Sequence, residues 1–272
     1  LYLRFTGQVD DRPGLKLTNP NLLDLYVDAR PNERVRGYVR GRLTYNPIAS
    51  SFLPGLVEPP DETNVLLDQL WLKFDIDHTL FITAGKQPIR WGVSRLWNPV
   101  DAVNSSRRDP LAFFDERSGV PMVKLHLPIE SIAWNIVALG LISGAGDTED
   151  LGAALRIEGV LSTVEFGLST IAASRPTTDP NSIASMAAQT PEILGYHKEY
   201  QVGFDLSAGI WELDVTAEAA LTFVKDEAST QRELISAGDY SGLFQATIGA
   251  SYMDKYNAND YFMVGAEYFY NR

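Results

Sequence analysis

The stretch Arg34-Val35-Arg36-Gly37-Tyr38-Val39-Arg40-Gly41-Arg42-Leu43-Thr44-Tyr45-Asn46 carries the signature on which the fold turns. One parity holds Val35, Gly37, Val39, Gly41, Leu43 and Tyr45. The other holds Arg34, Arg36, Tyr38, Arg40, Arg42, Thr44 and Asn46. Successive side chains of a strand point to opposite faces, so this segment is a strand with one apolar and one polar face. The pattern returns late in the chain. Trp211, Leu213, Val215, Ala217, Ala219, Leu221 and Phe223 share one parity, and Glu212, Asp214, Thr216 and Glu218 open the other. Helical periodicity is scarce.

Working outward from these two segments, the alternation predicts thirteen strands, at 1–9, 22–30, 34–46, 65–76, 79–89, 117–127, 131–140, 151–159, 163–173, 198–208, 211–224, 240–253 and 260–270. Most exceed the usual globular strand of about five or six residues. They match the roughly 9–11 residues a tilted strand needs to cross a bilayer. The connections alternate: long links at 10–21, 47–64, 90–116, 141–150, 174–197 and 225–239, and short ones between them. Tight turns on one side and long loops on the other are the asymmetry of a transmembrane β-barrel. A soluble sandwich has no reason to keep it through twelve links. The predicted fold class is therefore all-β, an antiparallel transmembrane β-barrel formed by 1–272 as a single domain.

Composition narrows the possibilities. The 272 residues carry a net charge of −12 and no cysteine. There is no disulfide framework, no thiolate metal site and no cysteine nucleophile. An acidic chain also lacks the basic face that nucleic acid requires. No run reaches the roughly 18 apolar residues of a spanning helix; the nearest, 132–146, is interrupted by Asn135. Residue 1 already lies in a strand pattern, from which we expect that any targeting segment has been removed.

Orientation follows if the first strand rises from the periplasm. Tyr45, Phe223, Phe244, Tyr268 and Tyr270 then fall near the outer rim, and Trp211, Tyr252 and Phe262 near the inner rim. Aromatic girdles at the two interfaces have this arrangement. Thirteen is odd, whereas bacterial single-chain barrels usually have an even number of strands. We therefore expect a barrel of 14 or more strands, of which this chain is an N-terminal part, or a wall completed by a partner. A soluble β-sandwich with a binding face is the rival; it predicts extraction without detergent.

The segment Gly85-Lys86-Gln87-Pro88-Ile89-Arg90-Trp91-Gly92, followed by Asn98-Pro99-Val100-Asp101, resembles a pattern of porin-like outer-membrane proteins of Gram-negative bacteria. The ending Glu267-Tyr268-Phe269-Tyr270-Asn271 is similar to a strand of that class. The resemblance implies residence in the outer membrane and a passive channel or small-solute exporter. It implies contact with lipid and with lipopolysaccharide.

With the apolar parity toward lipid, the other parity faces the interior. Its early members are Arg4, Arg34, Arg36, Arg40, Arg42 and Lys73; its later members include Glu165, Asp205, Asp214, Glu218 and Glu267. Residues 1–140 hold 16 basic and 16 acidic side chains, and residues 141–272 hold 7 and 19. The expectation is a transverse field across a water-filled lumen, since charged walls set selectivity in pores. The alternative is that these charges pair and fill a closed interior. The longest link, 90–116, carries Arg90, Trp91, Arg95, Trp97, Arg107 and Arg108. Aromatics and arginines suit a loop folded into the lumen or over its mouth, where it narrows the pore; a loop packed outside on its neighbours is the alternative. Residues 176–181 read instead as a mobile outer loop.

No catalytic constellation is assembled locally. Asp77-His78 sits in a short turn, His126 has no serine or carboxylate at close spacing, and His197 adjoins Lys198 and Glu199. Asp254, Asn257, Asn259 and Asp260 suit a turn better than a calcium loop. We expect no catalytic residue, metal or cofactor. Expected partners are small solutes, membrane lipid, and a second copy or an envelope protein. A plugged barrel with a structural or interaction role stands beside the channel.

Overall fold

The computed structural model describes residues 2–3, 6–8, 16–18, 21–45, 63–104, 118–142, 151–179, 192–225, 240–255 and 260–272. Among these residues, fifteen strands run in chain order: β1 (Tyr2–Leu3), β2 (Thr6–Gln8), β3 (Lys16–Thr18), β4 (Asn21–Asn32), β5 (Val35–Tyr45), β6 (Thr63–Ile76), β7 (Leu80–Gln87), β8 (Val120–Ile129), β9 (Trp134–Ile142), β10 (Leu151–Leu161), β11 (Val164–Asp179), β12 (Glu192–Ile210), β13 (Leu213–Lys225), β14 (Tyr240–Lys255) and β15 (Tyr261–Asn271). Thirteen form one antiparallel sheet in the order β1-β4-β5 and then sequentially to β15; β2 and β3 pair separately. Every link from β4 to β15 is thus a hairpin between sheet neighbours. Among the described residues, β1 and β15 do not pair with each other.

Four of the described tight turns share a backbone device. Asp77, His78, Ala133, Ser162 and Trp211 all have left-handed φ between 51° and 60°. Such turns match the right-handed twist of the strands they join. Side chains supply the remaining bonds. Asn32 Oδ1 accepts from the Arg34 and Val35 amides at 2.9 and 2.8 Å, and Asp75 Oδ1 accepts from the His78 amide at 2.7 Å.

Some boundaries differ from expectation. The link expected at 10–21 contains β3. Residues 176–179, expected in a mobile loop, continue β11, which pairs with β12 up to Asp179↔Glu192. Proline's φ fits an extended backbone, and a register shift between Thr177 and Thr178 absorbs the irregularity. Trp211, expected to open a strand, occupies a tight turn and is 97% exposed.

The two faces of the sheet invert the order of a soluble protein. Along β6, Leu70, Leu72, Phe74 and Ile76 are exposed, as are Leu23, Leu25 and Val27 on β4 and Leu168, Val202 and Phe204 on β11 and β12. The opposite face buries polar side chains, among them Thr83, Arg156, Gln201, Asp205, Glu218 and Thr247. A continuous exposed apolar belt over a polar interior is stable only against lipid. The sheet is the wall of an outer-membrane-type barrel, and its polar side is the inner face.

Candidate functional site

Residues 88–104 fold against the inner face, and Trp91, Val100 and Val103 are buried there. They pack in one apolar cluster with Met122 of β8, Val137, Leu139 and Leu141 of β9, Ala154 of β10 and Ile171 and Ala173 of β11. This explains the apolar run near residue 132: β9 has lipid on one side and the folded segment on the other, so both of its faces are apolar. The expectation of a polar inner parity fails along this stretch for that reason.

Two carboxylates hold the segment by its backbone. Glu218 of β13 accepts hydrogen bonds from the amides of Val93 at 2.6 Å, Ser94 at 2.5 Å and Val100 at 3.4 Å. Glu267 of β15 accepts from the amides of Arg95, Leu96 and Trp97 at 2.6, 2.8 and 3.2 Å. An ionised carboxylate accepting several N–H groups makes the stronger, charge-assisted kind of bond. Neutral contacts complete the anchorage. Gln201 Nε2 donates to the Pro99 carbonyl at 3.2 Å, Thr247 Oγ1 donates to the Trp97 carbonyl at 3.1 Å, and Trp97 stacks on Phe269. Within the segment, Asn98 Nδ2 donates to the Trp91 carbonyl and its Oδ1 accepts from the Asp101 amide. Gly92 has φ 80°, and a Cβ there would lie 2.3 Å from Asn98 and 2.7 Å from Glu218.

Beneath the segment lies a buried ion pair. Arg156 of β10 donates to both Asp205 oxygens, at 2.7 and 2.9 Å, across the intervening strand β11. Gly167 makes this possible, because a Cβ there would stand 2.2 Å from the guanidinium. Arg156 also bonds Glu158 at 2.8 Å and lies 5.8 Å from the Trp91 ring centre.

The inner face of β4–β7 is built differently: among the described residues, none of the bonds above pins the folded segment to it. Arg36 pairs with Asp28 at 2.9 Å. Arg40 pairs with Asp24, and both Arg40 and Arg42 approach Asp68, at 3.6 and 3.5 Å. Asp68 is the extra residue where the β5–β6 register shifts between Arg40 and Gly41. Lys73 and Lys124 both register with Thr83. They have no ion-pair partner among the described residues; Lys73 Nζ lies 4.4 Å from the Phe81 ring centre.

The expected interior residues therefore divide. Arg36, Arg40, Arg42 and Lys73 stand together on the β5–β6 wall, and Asp205 and Glu218 lie beneath the folded segment. Arg34 is corrected: it lies in the β4–β5 turn and pairs with Asp77 of the neighbouring turn at 3.4 Å, at the rim. Glu165 and Asp214 share the inner parity but are exposed next to their turns. On the β4–β6 wall Arg36, Arg40 and Arg42 pair with aspartates of that same wall, while Glu218 and Glu267 are engaged by backbone amides. Of the expected loop residues, Trp91 is buried, Arg90 donates to the Ser94 carbonyl at 3.2 Å, and Arg95 and Trp97 are held by Glu267. Arg4, Arg107 and Arg108 lie outside the described residues. Sequence reasoning missed Asp24, Asp68, Arg156 and Gln201.

No protein family's model and no curated protein matches this sequence. Among solved structures, OmpF of Salmonella typhi in complex with daunomycin is similar: 98% of this chain aligns with 75% of that one, at 9% identity and a TM-score of 0.51. A loop L8 deletion mutant of OmpT, an outer membrane protein of Vibrio cholerae, aligns over 99% of both chains at 9% identity, but its TM-score of 0.37 adds nothing to the argument. The likeness to OmpF is one of fold, and it agrees with the barrel wall read from the two faces.

Proposed function

We propose that this chain forms an outer-membrane channel for passive diffusion of small polar or ionic solutes, narrowed by residues 88–104. One observation carries the reading: among the described residues, the inner face is unevenly filled. The folded segment covers β8–β15, while β4–β7 presents partly exposed charged and aromatic side chains behind an apolar outer belt. Lumen polarity and a loop that sets the aperture are how barrels achieve size and charge selection. Lys73 and Lys124, free of ion pairs among the described residues, supply the selectivity. The barrel resides in the outer membrane of a Gram-negative bacterium, in contact with lipid and lipopolysaccharide. Planar-bilayer recording in a salt gradient tests the reading: stable current steps with an anion-preferring reversal potential are expected. Silence from a correctly folded, heat-modifiable barrel would overturn it. The rival, a non-conducting barrel with a structural role, draws support from the six backbone hydrogen bonds that Glu218 and Glu267 accept, and such silence would favour it.

A further inference from the structure

We propose that Arg30 and Arg36, locked side by side on Asp28, form a binding site for phosphate groups, free or as phosphomonoesters, on the inner face of β4–β6. The inference rests on the channel reading and names its solute class.

The site is built from one carboxylate and two guanidinium forks. Asp28 of β4 accepts from Arg30 Nε and Nη2 at 3.4 and 3.0 Å. It accepts from the same two atoms of Arg36, on β5, at 2.9 Å each. Four hydrogen bonds fill what a carboxylate can accept. The guanidinium groups are not filled: each has five N–H donors, and the bonds to Asp28 take two of them. Their side chains are open to solvent, 63% exposed at Arg30 and 40% at Arg36. Arg36 is steadied from a second side. Its Cζ lies 5.5 Å from the ring centre of Trp71, and the Trp71 indole N–H is bonded to Gln69 at 3.3 Å. An arginine stacked on a ring keeps its in-plane donors.

The surroundings carry an excess of positive charge. Arg36 registers with Lys73 on β6, Lys73 with Thr83 on β7, and Thr83 with Lys124 on β8. Neighbouring strands are about 4.8 Å apart, so this row sets the Lys73 backbone about 5 Å and the Lys124 backbone about 14 Å from that of Arg36. Lys73 Nζ sits 4.4 Å from the Phe81 ring centre, a contact that leaves its charge uncancelled. Toward the turns, Asp75 is taken by His78, through the amide at 2.7 Å and the ring Nδ1 at 2.6 Å, and Asp77 pairs with Arg34. Of the four cations Arg30, Arg36, Lys73 and Lys124, the arginines alone have an ion-pair partner among the described residues, and they share a single one.

Geometry selects the phosphate group from other anions. Both Nη2 atoms bond the same oxygen of Asp28, at 3.0 and 2.9 Å, so they stand at most about 6 Å apart. A tetrahedral anion bridges that gap with a charge-assisted bond of about 2.8 Å to each side. Even as a monoester, phosphate has three free oxygens and a second negative charge, and can meet both forks at once. A simple carboxylate has two oxygens and is satisfied by one fork.

The test is equilibrium dialysis of radiolabelled inorganic phosphate against the detergent-folded full chain at low salt, with glycerol 3-phosphate and acetate as competitors. Glycerol 3-phosphate should displace the label at about a tenth of the acetate concentration or less, the worth of the second fork at a partly exposed site. Arg30→Gln should weaken phosphate binding about tenfold for the same reason, and Arg30→Lys, which keeps the charge without the fork, should recover little of the loss. Lys73→Gln with Lys124→Gln should weaken it by a smaller factor, about threefold, because these lysines act through their field. Each variant is first shown to run as a heat-modifiable folded band. Equal displacement by acetate and glycerol 3-phosphate, or unchanged phosphate binding in a folded Arg30→Gln variant, would overturn the site. Bilayer current from the same preparation separates the two ideas. Current without phosphate binding removes the site alone, and binding without current removes the channel alone.

Discussion

The two halves of the inner wall solve the same problem in opposite ways. Both carry charges on a face that lipid cannot touch. Beneath residues 88–104 the charges are dry: Arg156 is 6% exposed, Asp205 1% and Glu218 3%, and each is committed to a partner. On β4–β6 the exposure is mixed: Arg42 and Asp68 are buried, whereas the pair Arg36–Asp28 is open to solvent, with side chains 40% and 25% exposed. Burial raises the cost of leaving a charge unmatched, and solvent dissolves most of the benefit of matching it. The covered half should therefore govern stability, and the open half should govern what passes.

The sharpest break in this contrast would come from Asp205→Ala. It leaves the buried Arg156 guanidinium with Glu158 as its one remaining carboxylate and should cost about 3 kcal/mol, the lower end for breaking a buried pair. The temperature at which the folded band converts on a gel should fall steeply, while Asp28→Asn leaves it unmoved. Replacing Arg156 and Asp205 together by leucine should recover much of the loss, since the charge left unmatched, Glu158, is partly exposed to solvent. If Asp28→Asn did as much damage as Asp205→Ala, the division of the wall would be wrong.

Next in size is Glu218→Ala, which orphans three backbone amides. Bonds to charged groups contribute roughly 1.5–3 kcal/mol each, and bonds within the segment persist, so a net loss of about 3 kcal/mol is expected. Limited proteolysis should then cut within residues 88–104, and single-channel current should become larger and noisier. Gly92→Ala acts on the same anchorage from the other side. A side chain at that φ, pressed against Asn98 and Glu218, should cost about 1–3 kcal/mol, read as a smaller rise in protease sensitivity.

The smallest effect on stability is expected from Lys73→Gln with Lys124→Gln. Unfolding should stay where it is, while the reversal potential moves toward cations. Arg40→Ala with Arg42→Ala should also move it toward cations, but with a stability loss, because Asp24 and Asp68 lose their partners. Identical behaviour of the two double variants would show that pairing on β4–β6 is irrelevant.

How much of this was legible in the chain follows from what alternation can encode. A period of two reports which face a residue takes, so the thirteen-stranded wall and the inner parity of Arg36, Arg40, Lys73 and Glu218 were readable. Arg156 lay in plain view on the parity of Ala154 and Glu158, but its partner is two strands away, and no local spacing gives that. Asp68 was hidden because the register shift at Arg40/Gly41 breaks the parity at that point. Arg34 and Trp211 were misplaced for a related reason. A tight turn looks like strand until its backbone φ is known. The doubly apolar β9 could not be read either, since one of its faces is covered by a segment distant in sequence.

The anchorage of residues 88–104 also bears on the order in which the wall is made. Its carboxylates, Glu218 and Glu267, stand 118 to 172 positions along the chain from the amides they receive. Hairpins between sequence neighbours close cheaply, whereas contacts over such spans must wait for the intervening chain to be ordered. A slip of one residue in β13 or β15 turns Glu218 or Glu267 outward to the lipid. The segment can then dock only when the last strands have been laid down in the correct alignment, which makes it a proofreading step on assembly as well as a fixture of the finished barrel.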